Sequence, residues 1–124
     1  MISKMLTFEV TNECNVRCAH CLMDCVTEGG ARLSLSQIMR TVDEVVGEEG
    51  MNLSVVLSGG EPTLLGDDLL EILASLSVRG IPTRMVSNAS WASSPDEAAR
   101  VIKRLREAGL TELNLSMYDF HAVW

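Results

Sequence analysis

Hydrophobic and polar positions along this chain follow two different periods. Residues 5–11 place apolar side chains at every second position, which predicts a strand with one buried face. Residues 53–58 form an almost continuous apolar run, typical of a strand buried on both faces of a parallel sheet. Two more short segments, residues 83–87 and 112–116, are predicted to be strands as well. The alternating side chains of the first segment are Leu6, Phe8 and Val10.

Three segments between these strands have apolar residues at helical spacing. Ser34 with Gln37 three residues later is a capping-box signature. Asp67 and Asp68 place negative charge at the start of the second helix. Residues 94–97, Ser-Pro-Asp-Glu, combine an N-cap with a proline in the first turn of the third helix. The apolar stripes predicted to face the core are Leu35, Ile38, Val42, Val45 and Val46, then Leu69, Leu70, Ile72, Leu73 and Leu76, then Ala98, Val101, Ile102 and Leu105.

The regular alternation of strand and helix predicts an α/β fold with a parallel sheet. No linker, repeat or low-complexity segment interrupts residues 1–124, so we expect a single domain. The polar and glycine-rich residues cluster just after the predicted strands. In parallel α/β folds the carboxyl ends of the strands carry the functional site, so four strand ends are predicted to meet there.

Composition narrows the classes of function. The chain has 124 residues, 47% of them apolar, and a formal net charge of −7. This negative charge argues mildly against a surface built to hold nucleic acid or an anionic membrane, and leaves room for a local basic patch. No apolar run approaches the roughly 20 residues of a membrane span, and the N-terminus lacks a secretory signal. We therefore expect a cytoplasmic protein.

Four cysteines lie close together after the first predicted strand. Cys14, Cys18 and Cys21 have the spacing CxxxCxxC, and Cys25 follows. Three thiolates from a short loop can hold three irons of a cubic iron–sulfur cluster and leave the fourth iron open to another molecule. The alternative is a structural zinc ion that takes Cys25 as its fourth ligand, although zinc sites usually use paired CxxC motifs. We leave Cys25 outside the predicted site.

Together with Gly-Gly-Glu-Pro after the second strand, the CxxxCxxC motif resembles the radical S-adenosylmethionine (radical SAM) superfamily over essentially the whole chain. The resemblance implies a partial (β/α) barrel of the TIM type. It also implies that Cys14, Cys18 and Cys21 hold a [4Fe–4S] cluster and that S-adenosylmethionine chelates the open iron. In the family, an electron from the cluster cleaves this cofactor, and the resulting 5′-deoxyadenosyl radical takes a hydrogen atom from a substrate.

The resemblance also assigns cofactor contacts. Gly59 and Gly60 lack side chains, so their backbone can approach a ligand closely, and the Glu61 carboxylate can accept from an ammonium group. In the family this motif meets the methionyl amino group. Asn88 and Ser116 match positions that contact the cofactor carboxylate or ribose. His20 lies just before the third cysteine, where the family usually has an aromatic residue near the adenine of the cofactor.

No acid–base pair is placed well enough by the sequence to be assigned as catalytic, and Tyr118, Asp119 and His121 are left out of the site. The chain reaches only the fourth strand of the family's barrel, so we expect a fragment whose exposed sheet edges favour association. Its substrate, a small molecule or a peptide, stays unidentified. A flavodoxin or a ferredoxin is the electron donor that the resemblance implies. The second functional hypothesis is a non-catalytic module, either an iron–sulfur electron carrier or a zinc-stabilised domain.

Overall fold

Strands and helices alternate along the chain in a computed structural model, which describes residues 3–47 and 52–117. A short 3₁₀ helix, Pro62–Leu65, which the sequence pattern did not predict, precedes the second α-helix. Tyr118, Asp119 and His121 lie outside the described residues. The strands are β1 (Ser3–Thr11), β2 (Asn52–Gly59), β3 (Thr83–Ser87) and β4 (Glu112–Leu115), and the α-helices are α1 (Leu35–Gly47), α2 (Asp67–Val78) and α3 (Pro95–Glu107).

All four strands form one sheet in the order β1-β2-β3-β4, and every neighbouring pair is parallel. The predicted α/β fold with a parallel sheet is therefore confirmed. Because the strands run in the same direction, their carboxyl ends lie along one edge of the sheet. The residues that follow β1, β2, β3 and β4 are brought together at that edge.

The core lies between this sheet and the helices. Strand β2 is buried on both faces, as its apolar run predicted, with Val55 and Leu57 fully enclosed. Two helical predictions were wrong: Val46 and Ile102 are exposed. Each follows directly after a valine that packs against the core, and successive helical residues point about 100° apart. The helix side chains that are buried include Ile38, Val42, Leu69, Ile72, Leu73, Leu76 and Leu105.

The predicted starts of α1 and α3 are confirmed by their hydrogen bonds, and that of α2 by Asp67 and Asp68 in its first turn. The backbone N–H of Gln37 donates to Ser34 Oγ at 3.2 Å, and the Ser34 N–H donates to Gln37 Oε1 at 2.8 Å, which completes the capping box. Ser94 Oγ accepts from the Glu97 N–H at 3.2 Å, whereas the Glu97 carboxylate pairs with Arg100. Within the described ranges, none of the helices has both the length and the apolarity to cross a membrane.

Candidate functional site

A cavity of about 150 Å³ opens at the carboxyl edge of the sheet, and all four strand ends contribute to it. A larger cavity of about 320 Å³ lies between α2 and α3, but its lining includes none of the cysteines. Another cavity, of about 310 Å³, is lined by Cys18, Cys21 and Cys25, but by no residue from the ends of β2, β3 and β4. The smaller cavity is the one in which the cysteines meet the other strand ends. It brings together eight of the nine residues predicted from the sequence: Cys14, Cys18, His20, Cys21, Gly59, Gly60, Asn88 and Ser116.

The cysteine loop between β1 and α1 has no regular secondary structure of its own, yet its backbone is fixed at both ends. The N–H of Cys14 donates to the Val26 carbonyl at 2.8 Å, and the N–H of Val26 donates to the Asn12 carbonyl at 2.9 Å. The Asn12 side chain accepts from the Ala31 N–H at 2.7 Å. In the middle of the loop, Val16 is only 7% exposed and lines the cavity. These contacts hold the loop against the sheet edge.

The exposed Cys21 lies where backbone donors favour its thiolate form. A backbone hydrogen bond from Met23 lowers the pKa of Cys21 below its ordinary value of 9.0, against the opposing effect of burial. Backbone donors at Asp24 and Cys25 act in the same direction, as does the Cys25 thiol. Asp24 has a positive φ of 46°, and a backbone that turns in this way can aim successive N–H groups at one anion.

The pKa values of two neighbouring thiols, Cys18 and Cys25, are raised instead. Burial raises the pKa of Cys18, and the charges of Cys14 and Cys21 add to that effect. Burial also raises the pKa of Cys25 to about 11, with the nearby Cys21 as the next cause. Cys25 lines the same cavity and donates its S–H to Cys21. Cys21 therefore ionises more easily than Cys18 or Cys25.

The two glycines at the end of β2 are needed because the backbone at and just after the end of β1 packs directly against them. A Cβ atom at Gly59, where φ is +124°, would lie 2.4 Å from the Thr11 carbonyl oxygen. A Cβ at Gly60 would lie 2.0 Å from the Glu13 carbonyl oxygen. The Gly60 N–H donates to the Thr11 carbonyl at 2.7 Å. The space that these glycines free is therefore filled by the backbone leading into the cysteine loop, while their predicted approach to a ligand stays a prediction.

Glu61 is fully buried beneath the cavity, and both of its carboxylate oxygens accept hydrogen bonds. Oε1 accepts from Thr63 Oγ1 at 2.7 Å, from Ser87 Oγ at 2.9 Å and from the Thr63 N–H at 3.2 Å. Oε2 accepts from the Asn88 N–H at 2.7 Å. The backbone N–H of Glu61 donates to the Glu13 carbonyl at 2.8 Å. Glu61 therefore connects β2, the end of β3 and the cysteine loop, and its predicted contact with an ammonium group stays a prediction.

Asn88 reaches from the end of β3 to the cysteine loop. Its side-chain Nδ2 lies 3.6 Å from Cys14 Sγ and donates to Asn15 Oδ1 at 3.0 Å. Its Oδ1 accepts from the Ser90 N–H at 2.9 Å. Asn15 Nδ2 in turn donates to Ser90 Oγ at 2.8 Å. The sequence predicted a cofactor contact for Asn88, and the structure adds a contact with a cysteine sulfur.

The remaining predicted residues, Ser116 and His20, also line the cavity. Ser116 is half-buried, and its N–H donates to the Ser87 carbonyl at 2.8 Å, while His20 is exposed. Sequence reasoning missed Ser87, which is 2% exposed and whose hydroxyl accepts from Trp91 Nε1 at 2.8 Å. Its position as the last residue of β3, directly before Asn88, was the signal that could have identified it.

Residues 8–121 match the sequence model of the Radical SAM superfamily, a span that includes every candidate residue. The chain belongs to the radical SAM superfamily. Membership confirms the family that the cysteine and Gly-Gly-Glu-Pro motifs indicated.

Curated relatives of this radical SAM chain include GTP 3′,8-cyclases. The enzyme of Pectobacterium atrosepticum is 34% identical over 128 aligned positions, which cover 95% of this chain and 36% of the relative. That of Paenarthrobacter nicotinovorans is 32% identical, with 94% and 32% covered. The chain thus spans about a third of the length of these relatives.

Two solved structures share the fold. Streptococcus suis SuiB, bound to the precursor peptide SuiA, matches with a TM-score of 0.60 and 18% identity over 96% of this chain and 35% of SuiB. The protein anSMEcpe with bound AdoMet matches with a TM-score of 0.56 and 19% identity over 94% of this chain and 32% of that protein. The predicted partial barrel is confirmed, since the chain corresponds to about a third of each radical SAM neighbour.

The donor set of this radical SAM chain suits an iron–sulfur cluster. Soft thiolates are the usual ligands of such clusters, and Cys14, Cys18 and Cys21 border one cavity. A cubane takes one thiolate per iron, whereas a single zinc ion needs its ligands to converge on one point. In residues 3–47 and 52–117, no group of three or more His, Cys, Asp or Glu side chains is arranged to hold a metal ion.

Proposed function

We propose that this radical SAM chain holds a [4Fe–4S] cluster on Cys14, Cys18 and Cys21 and binds S-adenosylmethionine beside it. The observation that carries the proposal is that eight of the nine predicted residues line one cavity, at the ends of the four strands. When bound, the cluster and S-adenosylmethionine supply reductive cleavage of a carbon–sulfur bond, giving a 5′-deoxyadenosyl radical for hydrogen abstraction.

The chain's own residues have separable tasks in this proposal. Backbone donors lower the pKa of Cys21, which favours metal capture because the thiolate is the ligand. Glu61 and the two glycines hold the cysteine loop against β2 and β3. Ser116 and His20 line the cavity and are proposed to contact S-adenosylmethionine.

No substrate is proposed for this chain. Its curated relatives are GTP 3′,8-cyclases, and SuiB binds a precursor peptide, yet the chain matches only about a third of each protein. The proposal is therefore limited to the cofactor-binding part of a radical SAM enzyme, with a flavodoxin or a ferredoxin as electron donor. The alternative is a non-catalytic electron carrier, which would hold the same cluster without binding S-adenosylmethionine.

Anaerobic reconstitution with iron and sulfide tests the proposal. We expect the purified chain to bind about four irons and four sulfides, and the reduced cluster to give an electron paramagnetic resonance (EPR) signal that changes when S-adenosylmethionine is added. A cluster whose signal does not respond to S-adenosylmethionine would favour the electron carrier. Zinc binding without cluster assembly would exclude both iron–sulfur functions.

Cysteine variants identify the ligands. Alanine in place of Cys14, Cys18 or Cys21 is expected to abolish cluster assembly, because each is proposed to bind a different iron. The matched control is Cys25→Ala, which removes a thiol from the same cavity and is expected to leave the iron and sulfide content unchanged. Loss of the cluster in Cys25→Ala alone would show that the ligand set is wrong.

A further inference from the structure

We infer that Asn88 is a positioning residue that tunes the cluster: its side-chain amide donates to Cys14 Sγ and raises the potential at which a cluster bound there accepts an electron. The inference rests on the proposed function. The observation behind it is the 3.6 Å distance between Asn88 Nδ2 and Cys14 Sγ, within range of an N–H to sulfur hydrogen bond.

The neighbouring hydrogen bonds determine which end of the Asn88 amide faces the sulfur. The other end accepts from the Ser90 N–H at 2.9 Å, and because a backbone N–H can only donate, that end must be the oxygen. The nitrogen is thereby directed at Cys14 and Asn15. Asn15 accepts with its own oxygen and donates with its nitrogen to Ser90 Oγ, so the ring of bonds is consistent throughout.

The backbone of Asn88 is fixed as firmly as its side chain. Its N–H donates to the buried Glu61 carboxylate at 2.7 Å, and Glu61 is also bonded to Ser87 Oγ. The next residue, Ala89, has a φ of +58°, a left-handed conformation that costs an alanine about 1–2 kcal/mol. The turn is thus held in an unfavourable backbone conformation, and in that conformation Asn88 reaches Cys14.

The direction of the effect follows from charge. Reduction adds one electron to the cluster and its thiolates, so a hydrogen bond to sulfur stabilises the reduced state more than the oxidised state. Neighbouring donors that orient and polarise metal ligands are a general means of tuning a metal site. Removing the Asn88 donor should therefore make the cluster harder to reduce.

The test is an EPR-monitored redox titration of the reconstituted chain without S-adenosylmethionine. For Asn88→Ala we expect the ratio of reduced to oxidised cluster at a fixed potential to fall about three- to tenfold, which is a shift of roughly 30–60 mV to lower potential for one electron. Asn88→Asp should lower the potential further, because it keeps the acceptor for Ser90 but places a negative charge beside Cys14.

The matched control is Ser90→Ala, which removes one bond of the same ring and leaves the amide on Cys14 in place, so its potential should equal that of the wild type. Iron and sulfide content distinguishes a failure of the proposed function from a failure of the inference about Asn88. A wild-type chain that assembles no cluster overturns the proposed function and this inference together. A full cluster whose potential is unchanged in Asn88→Ala and Asn88→Asp overturns the inference alone. If Asn88→Ala assembles no cluster, the cluster potential of Asn88→Asp decides whether the inference holds: a lower potential supports it and an unchanged potential overturns it.

Discussion

The buried carboxylate of Glu61 offers the sharpest test of the structure. Its oxygens accept four hydrogen bonds from Thr63, Ser87 and Asn88, all without contact with water. Glu61→Ala would leave these donors unsatisfied and create a void. Since hydrogen bonds to charged groups contribute about 1.5–3 kcal/mol each and are not additive, we expect a loss of about 3–5 kcal/mol of unfolding free energy.

The variant Glu61→Gln distinguishes a structural role of Glu61 from a role in ligand binding. The amide can keep its oxygen towards Thr63 and Ser87, but its NH₂ group must then face the Asn88 N–H, so we expect an intermediate loss of about 1–3 kcal/mol. Urea unfolding with linear extrapolation measures both variants. The control is Glu71→Ala on the exposed face of α2, expected within about 0.5 kcal/mol of the wild type.

Two results would contradict this structural role of Glu61. If Glu61→Ala loses less than about 1 kcal/mol, the carboxylate is not the structural connection described here. If Glu61→Gln unfolds like the wild type but loses affinity for S-adenosylmethionine, the sequence prediction of an ammonium contact is the better account. Both measurements can be made on the same preparation, with binding followed by the EPR signal of the cluster.

Three further predictions concern the backbone and the thiols of the site. Gly60→Ala should lose about 2–3 kcal/mol of unfolding free energy in urea titrations, because the new Cβ would meet the Glu13 carbonyl oxygen. Ala89→Gly should gain about 0.5–1 kcal/mol in the same assay, since glycine adopts a φ of +58° without strain. In the metal-free chain, iodoacetamide followed by mass spectrometry should label Cys21 faster than Cys18 and Cys25, because alkylation needs the thiolate and the pKa of Cys21 is lowered. Cys25 should react more slowly than Cys21, since raising its pKa from 9.0 to about 11 lowers its thiolate fraction about a hundredfold near pH 8.

Each of these predictions has a matched control. Gly47→Ala, at the end of α1 with open space around its Cα, should not destabilise the chain. Ala99→Gly, on the exposed face of α3, should lose about 0.5–1 kcal/mol, so a loss at both alanines would contradict the strain at Ala89. In urea the cysteines should become equally reactive. Equal reactivity in the folded chain would contradict the pKa order.

The fold was predictable because its signals are local. The double-sided burial of β2 was visible as an apolar run, and the helix starts were visible as caps at Ser34 and Ser94. The failures, at Val46 and Ile102, share one cause. A sequence stripe shows which residues are near the core side of a helix, but the rotation of the helix on the sheet decides which one of two adjacent residues is buried.

The sequence predicted where the site residues lie in the fold, but it was a poorer guide to the residues that each of them contacts. The rule that parallel strands share a carboxyl edge placed Asn88 and Ser116 beside the cysteines, and the structure brings them to one cavity. That rule could not show that Asn88 contacts Cys14 or that Ser87 connects Glu61 to Trp91. Asn88 and Cys14 are 74 residues apart and Ser87 and Glu61 are 26 apart, whereas Trp91 is only four residues from Ser87. All three contacts depend on turn geometry that no local pattern encodes.

The Gly-Gly-Glu-Pro segment illustrates how one motif can serve folding and chemistry together. Its glycines and its buried glutamate are fully engaged with Thr11, Glu13 and Asn88 before any ligand is considered. A substitution there would move the cysteine loop and the end of β3 at once, so loss of cofactor binding in such a variant would not by itself identify a ligand contact. Measuring unfolding free energy beside cofactor affinity is what separates the two, since a residue that acts only on the ligand changes the second quantity and leaves the first unchanged.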